Sequence, residues 1–333
     1  MKLHFARIVD ETGARAWQAI TEVAIPFDHP GLLADPFEEV VGRLPDDSRS
    51  KRTALYVGDD DGKPVVVGAT EFPMADNLHL SSVEIQVPPQ LRRHGYGRQM
   101  FELLRDRCRE AGRSVLVGEV GSPLDGTSAG ESFARALGAR SVLVEIRREL
   151  RLEAVEPEAL DEMEEQARSH ATGYDLLQWI DHAPGEVLED AARLAGRIST
   201  DAPMGDLTME AERWDGARLR ESEDETVCRG RMRVSTGVRH IASGRLVGYT
   251  DIAVARSRPQ TAYQWGTLVA PEHRGHRLGT LIKIANLHNL MRELPGVQTV
   301  QTWNAMDNPH MVAINEAMGF GAVERFAHWQ MEI

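Results

Sequence analysis

The sequence predicts an α/β chain built as two similar halves, and three features carry that prediction. Short apolar, strand-like segments alternate with helix-like ones along all 333 residues, as in sheets flanked by helices. The junction "VPPQLRRHGYGRQMF" (87–101) returns as "VAPEHRGHRLGTLI" (269–282), offset by about 182 residues, the separation of Arg92 from Arg274. Each junction is followed by a helix end of the same form: Gly138 of "ARALGAR" lies 46 residues after Arg92, and Gly319 of "NEAMGFG" 45 after Arg274. A strand end, an arginine, a glycine loop and a late helix end in one register indicate a duplicated domain. A chain of this length also exceeds one ordinary core, so domains are expected at 1–150 and 151–333.

In the first half a strand near Leu3–Ile8 precedes a helix near Gly13–Val23. Strands near Ala54–Gly58 and Val65–Phe72 flank the turn "DDDGKP". A strand Ser82–Val87 feeds the glycine loop and an amphipathic helix ending at Gly112. A strand Val115–Glu119, a helix Gly130–Leu137 and a strand Val142–Arg148 follow. The second half has helices near Pro157–Ser169 and Pro184–Ile198, then strands Arg231–Ala242 and Leu246–Ala255 joined by "SGR". A strand Tyr263–Val269, the second loop and a helix to Leu294 lead to a strand Thr299–Trp303, a helix Pro309–Met318 and a last strand Ala322–Met331. Acidic stretches such as Glu223–Glu225 read as solvated loops.

Composition narrows the function. Lys+Arg number 38 against 51 Asp+Glu, a net charge near −13, which disfavours nonspecific binding to nucleic acid or anionic membrane. Two isolated thiols, Cys108 and Cys228, make neither a disulfide framework nor a zinc site. The opening "MKLHFARIVD" has no long apolar segment and no apolar run approaches membrane length, so a cytoplasmic protein is expected.

The glycine loops suit an anion. The first turn of a helix presents unpaired N–H groups and the positive end of its dipole, and glycine lets backbone approach a bulky group. A pyrophosphate can be held by such amides. A tight turn needing glycine for geometry alone is the alternative. A Rossmann loop fits poorly, since "GYGRQM" lacks the third glycine and follows a late strand. No Gly-Lys-Ser/Thr is present for a Walker A loop.

"VPPQLRRHGYG" and "VAPEHRGHRLG" resemble the acyl-CoA-binding loop of the GNAT acyltransferase superfamily, Q/R-x-x-G-x-G/A. "GESFARALGA" and "NPHMVAINEAMGF" resemble its last helix before the final strand, and the duplication resembles tandem actinobacterial members. The resemblance implies two GNAT domains, each a mixed, twisted sheet flanked by helices and splayed beside the loop. It implies acetyl-CoA as co-substrate, no metal, and a small-molecule amine as acceptor. Backbone at Val87, Leu268 and Val269 would meet the pantetheine arm. Amides of Arg92, Arg93, His94, Gly95, Tyr96, Gly97 and Arg98, and of Arg274, Gly275, His276, Arg277, Leu278, Gly279 and Thr280, would meet the pyrophosphate. A tandem chain would pair its halves internally as a monomer, or form a homodimer.

The copies depart differently from the pattern. The first keeps Gly95 and Gly97; the second keeps Gly279 but has Arg277 at the other glycine position. The superfamily's acid, a tyrosine on the last helix, is replaced by Ala134 and Asn315. Asn304 and Asn308 of "TWNAMDN" suit the pantetheine amides or the acceptor, while Asn308 before Pro309 equally suits a helix cap. A free amine must lose a proton, and Glu84, Tyr263 and Asn304 are the catalytic candidates. Asp201, Asp206 and Glu210 are candidates for an acceptor wall. His273 and His276 have no evident further ligand for a metal. The second half is the preferred catalytic copy on Asn304 and Asn308, and a non-catalytic acyl-CoA sensor is the alternative.

Overall fold

The computed structural model describes residues 2–45 and 48–333. In chain order the elements are β1 (His4–Arg7), α1 (Glu11–Asp28), α2 (Phe37–Gly42), β2 (Lys51–Asp60), β3 (Lys63–Pro73), β4 (Leu80–Gln86), α3 (Tyr96–Glu110), β5 (Val115–Pro123), α4 (Ala129–Leu137) and β6 (Arg140–Arg151). They continue as α5 (Pro157–Ser169), β7 (Tyr174–Ile180), α6 (Leu188–Asp201), α7 (Gly216–Cys228), β8 (Arg231–His240), β9 (Arg245–Ala255), β10 (Thr261–Val269), α8 (Leu278–Glu293), β11 (Thr299–Ala305), α9 (Pro309–Ala317) and β12 (Gly321–Glu332). Two compact units result. The first holds the residues up to Glu145 with Met204–Glu210 and Glu324–Ile333; the second holds Ile146–Pro203 and Ala211–Val323. Among the described residues no helix is long and apolar enough to cross a membrane.

The first unit orders its strands β1-β2-β3-β4-β5-β12. Asp61 and Gly62, both at positive φ, close the β2–β3 hairpin between Asp60 and Lys63, the conformation a two-residue hairpin turn favours. Alternation along β3 sends Val67 and Ala69 to α1 and α2, with Trp17, Ile20 and Val40. Val66 turns to α3, with Met100 and Leu104. The last strand, expected to complete the second half, lies antiparallel along β5 from Glu324↔Pro123 to Glu332↔Val115. β5 pairs with β4 only over Val115–Val117, and β12 gives it a partner along its length, as an open strand edge demands.

The second unit repeats the plan with β7-β8-β9-β10-β11. Leu246, Tyr249 and Leu268 pack on α6, while Ile252, Val254 and Ala262 pack on α8. Three elements were not legible as such: α2, β7 and α7. The acidic stretch expected in a solvated loop is part of α7. There Glu223 is fully buried, accepting from Ala183 N (2.9 Å), Arg233 Nη2 (2.6 Å) and Arg220 Nη1 (2.7 Å). Helix α8 is enclosed on most sides, and Lys283 within it is 1 % exposed. Its Nζ lies 5.9 Å from the Phe320 ring centroid and has no ion pair among the described residues.

Candidate acyl-CoA site

Each unit contains one parallel strand pair that opens. β4 pairs with β5 from Leu80↔Val115 to Ser82↔Val117 and then diverges. β10 pairs with β11 from Thr261↔Thr299 to Tyr263↔Gln301 and diverges likewise. The unpaired backbone beyond makes a gap with free hydrogen-bonding groups on both walls. In the second unit β10 also carries a bulge between Gln264 and Thr267. Thr250 Oγ1 holds it by bonding Gly266 O (3.2 Å) and Thr267 Oγ1 (2.7 Å), while Gln264 Nε2 donates to Asp251 O (2.7 Å). A bulge leaves one residue out of the ladder and re-aims its neighbours.

The strand that opens ends at the glycine loop. A 3₁₀ turn binds the amides of Arg92 and Arg274 to Pro89 O (3.3 Å) and Pro271 O (3.2 Å). The amides that follow, Arg93 to Arg98 and Gly275 to Thr280, find no acceptor among the described residues; helix bonding resumes at Gln99 and Leu281. The side chains of Arg92 and Arg274 face away from this row. Arg92 Nε donates to Val87 O (3.0 Å) and its Nη atoms grip Asp28 (2.8 and 2.6 Å). Arg274 copies this with Val269 O (3.2 Å) and Asp201 (2.9 Å). Both arginines therefore staple the loop to the end of its strand. Tyr96 and Leu278 are buried at the start of their helices, and the Tyr96 hydroxyl donates to Asp60 (2.8 Å), so these two offer their amides only.

The left-handed residues of the loops settle their geometry. In the first loop these are Arg93 (φ 68°) and Gly95 (φ 83°); in the second, Gly275 (φ 87°) and Arg277 (φ 53°). Position for position, one glycine and one arginine have exchanged places while the backbone has kept its path. Gly97 and Gly279 have ordinary helical φ, and a Cβ there would meet side-chain atoms no closer than 3.6 and 3.8 Å. Neither chain conformation nor internal packing demands glycine at these two places. The open space beside a row of free amides fits a pyrophosphate.

The chain has counterparts among known proteins. Residues 206–320 match the Acetyltransferase (GNAT) family. A tandem GNAT protein from the clavulanic acid biosynthesis pathway, solved without AcCoA, is 28% identical and superposes with a TM-score of 0.81, covering 99% of this chain and 98% of its own. Residues 206–320 thus match a GNAT acetyltransferase domain, and along its whole length the chain is similar to a tandem GNAT protein. Mycothiol acetyltransferase of Thermomonospora curvata is 26% identical over 280 residues, 82% of this chain and 80% of the relative. A GCN5-related N-acetyltransferase from Sphaerobacter thermophilus shares the fold at 16% identity, with a TM-score of 0.64 over 98% of this chain and 95% of that one. These likenesses make the chain an N-acetyltransferase, and GNAT acetyltransferases use acetyl-CoA generally.

Strand alternation sorts the remaining candidates of the chain between the two faces of each gap. In the first unit Glu84 and Glu119 each stand two residues past the last pair, Ser82↔Val117, on the face covered by α1 and α2. Glu84 lies 3.5 Å from Arg43, which also approaches Asp35 (3.5 Å) and the Trp17 ring. Enclosure holds the Glu84 carboxyl above its usual range, against the pull of Arg43. On β12, at the other edge of β5, His328 lies 2.9 Å from Glu145 and 3.6 Å from its cross-strand partner Glu119. The Glu119 side chain is 62 % exposed at the gap, where partial desolvation, and the Glu145 charge with it, raises its carboxyl despite His328. On the corresponding face of the second unit Tyr263 stacks on Trp303, with centroids 6.3 Å apart. Asp251, beside the bulge, accepts from Ser235 (2.7 Å) and is raised by burial. Asn304 is on the opposite, α8 face, where its Oδ1 accepts from Asn315 Nδ2 (2.6 Å). Asn308 caps α9, accepting from Met311 N (3.2 Å).

Asp251, Glu119 and His328 escaped the sequence reading, because a lone acid or imidazole in a strand carries no local pattern; the register of the opened pair singles out Glu119, and the strands flanking the opened pairs bring in Asp251 and His328. Of the expected acceptor wall, Asp201 binds Arg274 and Arg197, while Asp206 is solvent-facing. These acids do not converge. Among the described residues no group of three or more His, Cys, Asp or Glu is placed to hold a metal ion.

Arg277 yields a prediction about the second loop. A left-handed arginine costs about 1–2 kcal/mol, whereas a new glycine loosens the unfolded chain by about 0.5–1 kcal/mol. Arg277→Gly is expected to raise thermal stability modestly and leave acetyl-CoA binding unchanged, as followed by melting with and without acetyl-CoA. A clear loss of stability would show that the Arg277 side chain has a structural partner.

Proposed function

We propose that the protein transfers an acetyl group from acetyl-CoA to a primary amine of a small molecule, by direct attack of the amine on the thioester. One observation carries the reading: in each unit the strand that leaves its parallel partner ends in a row of unpaired amides. That places an anion-holding loop and an open backbone gap on a single strand. When bound, acetyl-CoA supplies an electrophilic acyl carbon and a thiolate leaving group. The residues that would hold it are the amides of Arg93–Arg98 in the first unit and Gly275–Thr280 in the second. Val87, Leu268 and Val269 border the gap, and Asn304 adds an amide on the α8 side of the second.

The proton chemistry favours the first unit. Glu84 and Glu119 occupy the face away from α3, so an amine entering there meets carboxylates while the loop lies on the other side. Glu84, on the loop strand itself, takes the proton that the neutral amine loses as its nitrogen bonds the acyl carbon and the thiolate departs, and its raised pKa makes it a stronger base at neutral pH. Glu84→Gln is expected to lower kcat by about 10²–10⁴-fold with the KM for acetyl-CoA little changed. The acid limb of the pH–rate profile should vanish with it, since a neutral amide has no titration there. Loss of acetyl-CoA binding with unchanged kcat would refute this role.

A second reading places turnover in the second unit. The bulge at Gln264–Thr267 frees strand amides at its gap, a suitable way to polarise a carbonyl, and Asp251 stands beside it as base. Asp251→Asn compared with Glu84→Gln decides between the two. A panel of amines with acetyl-CoA, followed by thiol release, identifies the acceptor; binding of acetyl-CoA without release by any amine would mark a sensor instead.

A further inference from the structure

Next to the second loop, four rings meet. Tyr174 on β7 lies 5.3 Å from His240, 5.7 Å from His273 and 5.3 Å from His276, and His240 lies 5.0 Å from His273. The Tyr174 hydroxyl and His273 Nδ1 are 2.9 Å apart, and His240 Nδ1 is held by Ser243 (2.9 Å). His276 has no hydrogen bond among the described residues, and none of the three imidazoles has a carboxylate at ion-pair distance. Glu272, in the same turn, sits 3.7 Å from Arg197. The groups facing His273 are thus His240 from β8, His276 from the loop, Arg193 from α6 and Glu272 from its own turn. Burial first, and His240 next, push His273 below the ordinary imidazole value.

The first loop is built otherwise. Leu91 stands where the second has His273. Its one histidine, His94, stacks on Tyr96 at 5.6 Å, and Tyr96 is bonded to the acid Asp60. The His94 Nδ1 donates to Arg92 O (2.9 Å), so the first loop has one imidazole, held by its own backbone, where the second gathers three around Tyr174.

We propose that the Tyr174–His240–His273–His276 cluster makes the second loop a proton-linked pyrophosphate site, taking up a proton as the anion binds, while the first loop binds the same group without one. The inference rests on the reading of the loops as acyl-CoA sites. Its physics is that of linkage: an anion on the amides of His276 and Arg277 favours the imidazolium forms and raises their pKa values. Affinity then rises as pH falls through the bound-state pKa, and levels off below the free-state pKa, which for His273 is already depressed. Histidine is the side chain whose charge changes in this range.

The test uses the full chain and dephospho-CoA, whose pyrophosphate keeps its charge between pH 6 and 8. With the first loop disabled by Gly97→Asp, calorimetry is expected to show binding about five- to tenfold tighter at pH 6 than at pH 8, with net proton uptake across buffers. His273→Asn and His276→Asn, each with an unchanged melting temperature, should reduce that ratio to below about twofold. The Gly279→Asp chain, reporting the first loop alone, should give a flat profile. Binding without pH dependence in the Gly97→Asp chain, or a slope that survives both histidine variants, overturns the proton link and leaves the loop reading standing. No binding to the Gly97→Asp chain at any pH overturns both.

Discussion

Gly279→Asp is expected to leave the protein folded and to weaken acetyl-CoA binding at the second loop by about 10- to 100-fold, the effect of one added negative charge beside a diphosphate. Gly97→Asp should do the same at the first loop. The substitution separates folding from binding because the two respond with opposite sign. A carboxylate in the first turn of a helix is stabilising by about 0.3–1 kcal/mol, and an added Cβ at either glycine meets only ordinary contacts. The same carboxylate repels an anion held by the neighbouring amides. Titration of each variant with acetyl-CoA, alongside its melting temperature, gives the share of each loop, and turnover in each then says which gap performs the reaction. Unaltered acetyl-CoA affinity in both variants would sink the assignment of both loops.

Lys283→Met is expected to stabilise the protein at pH 7 by about 2–4 kcal/mol, a large change for one side chain. Burial lowers the Lys283 pKa from 10.5 to about 7, with no carboxylate among the described residues offsetting the loss of hydration. The folded state releases the proton near pH 7, whereas the unfolded chain keeps it up to the ordinary lysine value. Over that interval the unfolded state binds more protons, so stability rises with pH by up to about 1.4 kcal/mol per unit from this group. Below pH 7 both states carry the proton and the dependence ends. Methionine matches the length of lysine without its charge, so the variant should be more stable and lose this slope. Denaturant unfolding at pH 7, 8 and 9 checks both signs. A destabilised variant would mean that the ammonium has a favourable partner.

The duplicated loops were legible because a strand end, an arginine staple and glycines are all local in sequence, and the repeat doubled the signal. The staple itself was not: the amides of Arg92 and Arg274, expected on the pyrophosphate, are taken by Pro89 O and Pro271 O, and Asp28 and Asp201, which hold the side chains, lie far along the chain. Glu223 misled in the same way. An acidic run reads as solvated, and only the fold brings Arg220 and Arg233 to a carboxylate in the core. The role of Asn304 was half-visible, since a residue after an opened strand borders the gap whatever it is, but its bond to Asn315 depends on how α9 docks. The last strand was located correctly and assigned to the wrong half, because β-strand patterning states which residues face a core and says nothing about which neighbour completes the sheet.

That last strand has a consequence during synthesis. The first unit includes Glu324–Ile333, so a nascent chain that has already delivered all of β1–β5 must keep β5 with an unfilled edge until Glu324–Ile333 has emerged. Multidomain chains ordinarily fold their amino-terminal domain first as it leaves the ribosome; here the second unit can close earlier. A chain cut short before Glu324 would therefore spoil the half encoded first.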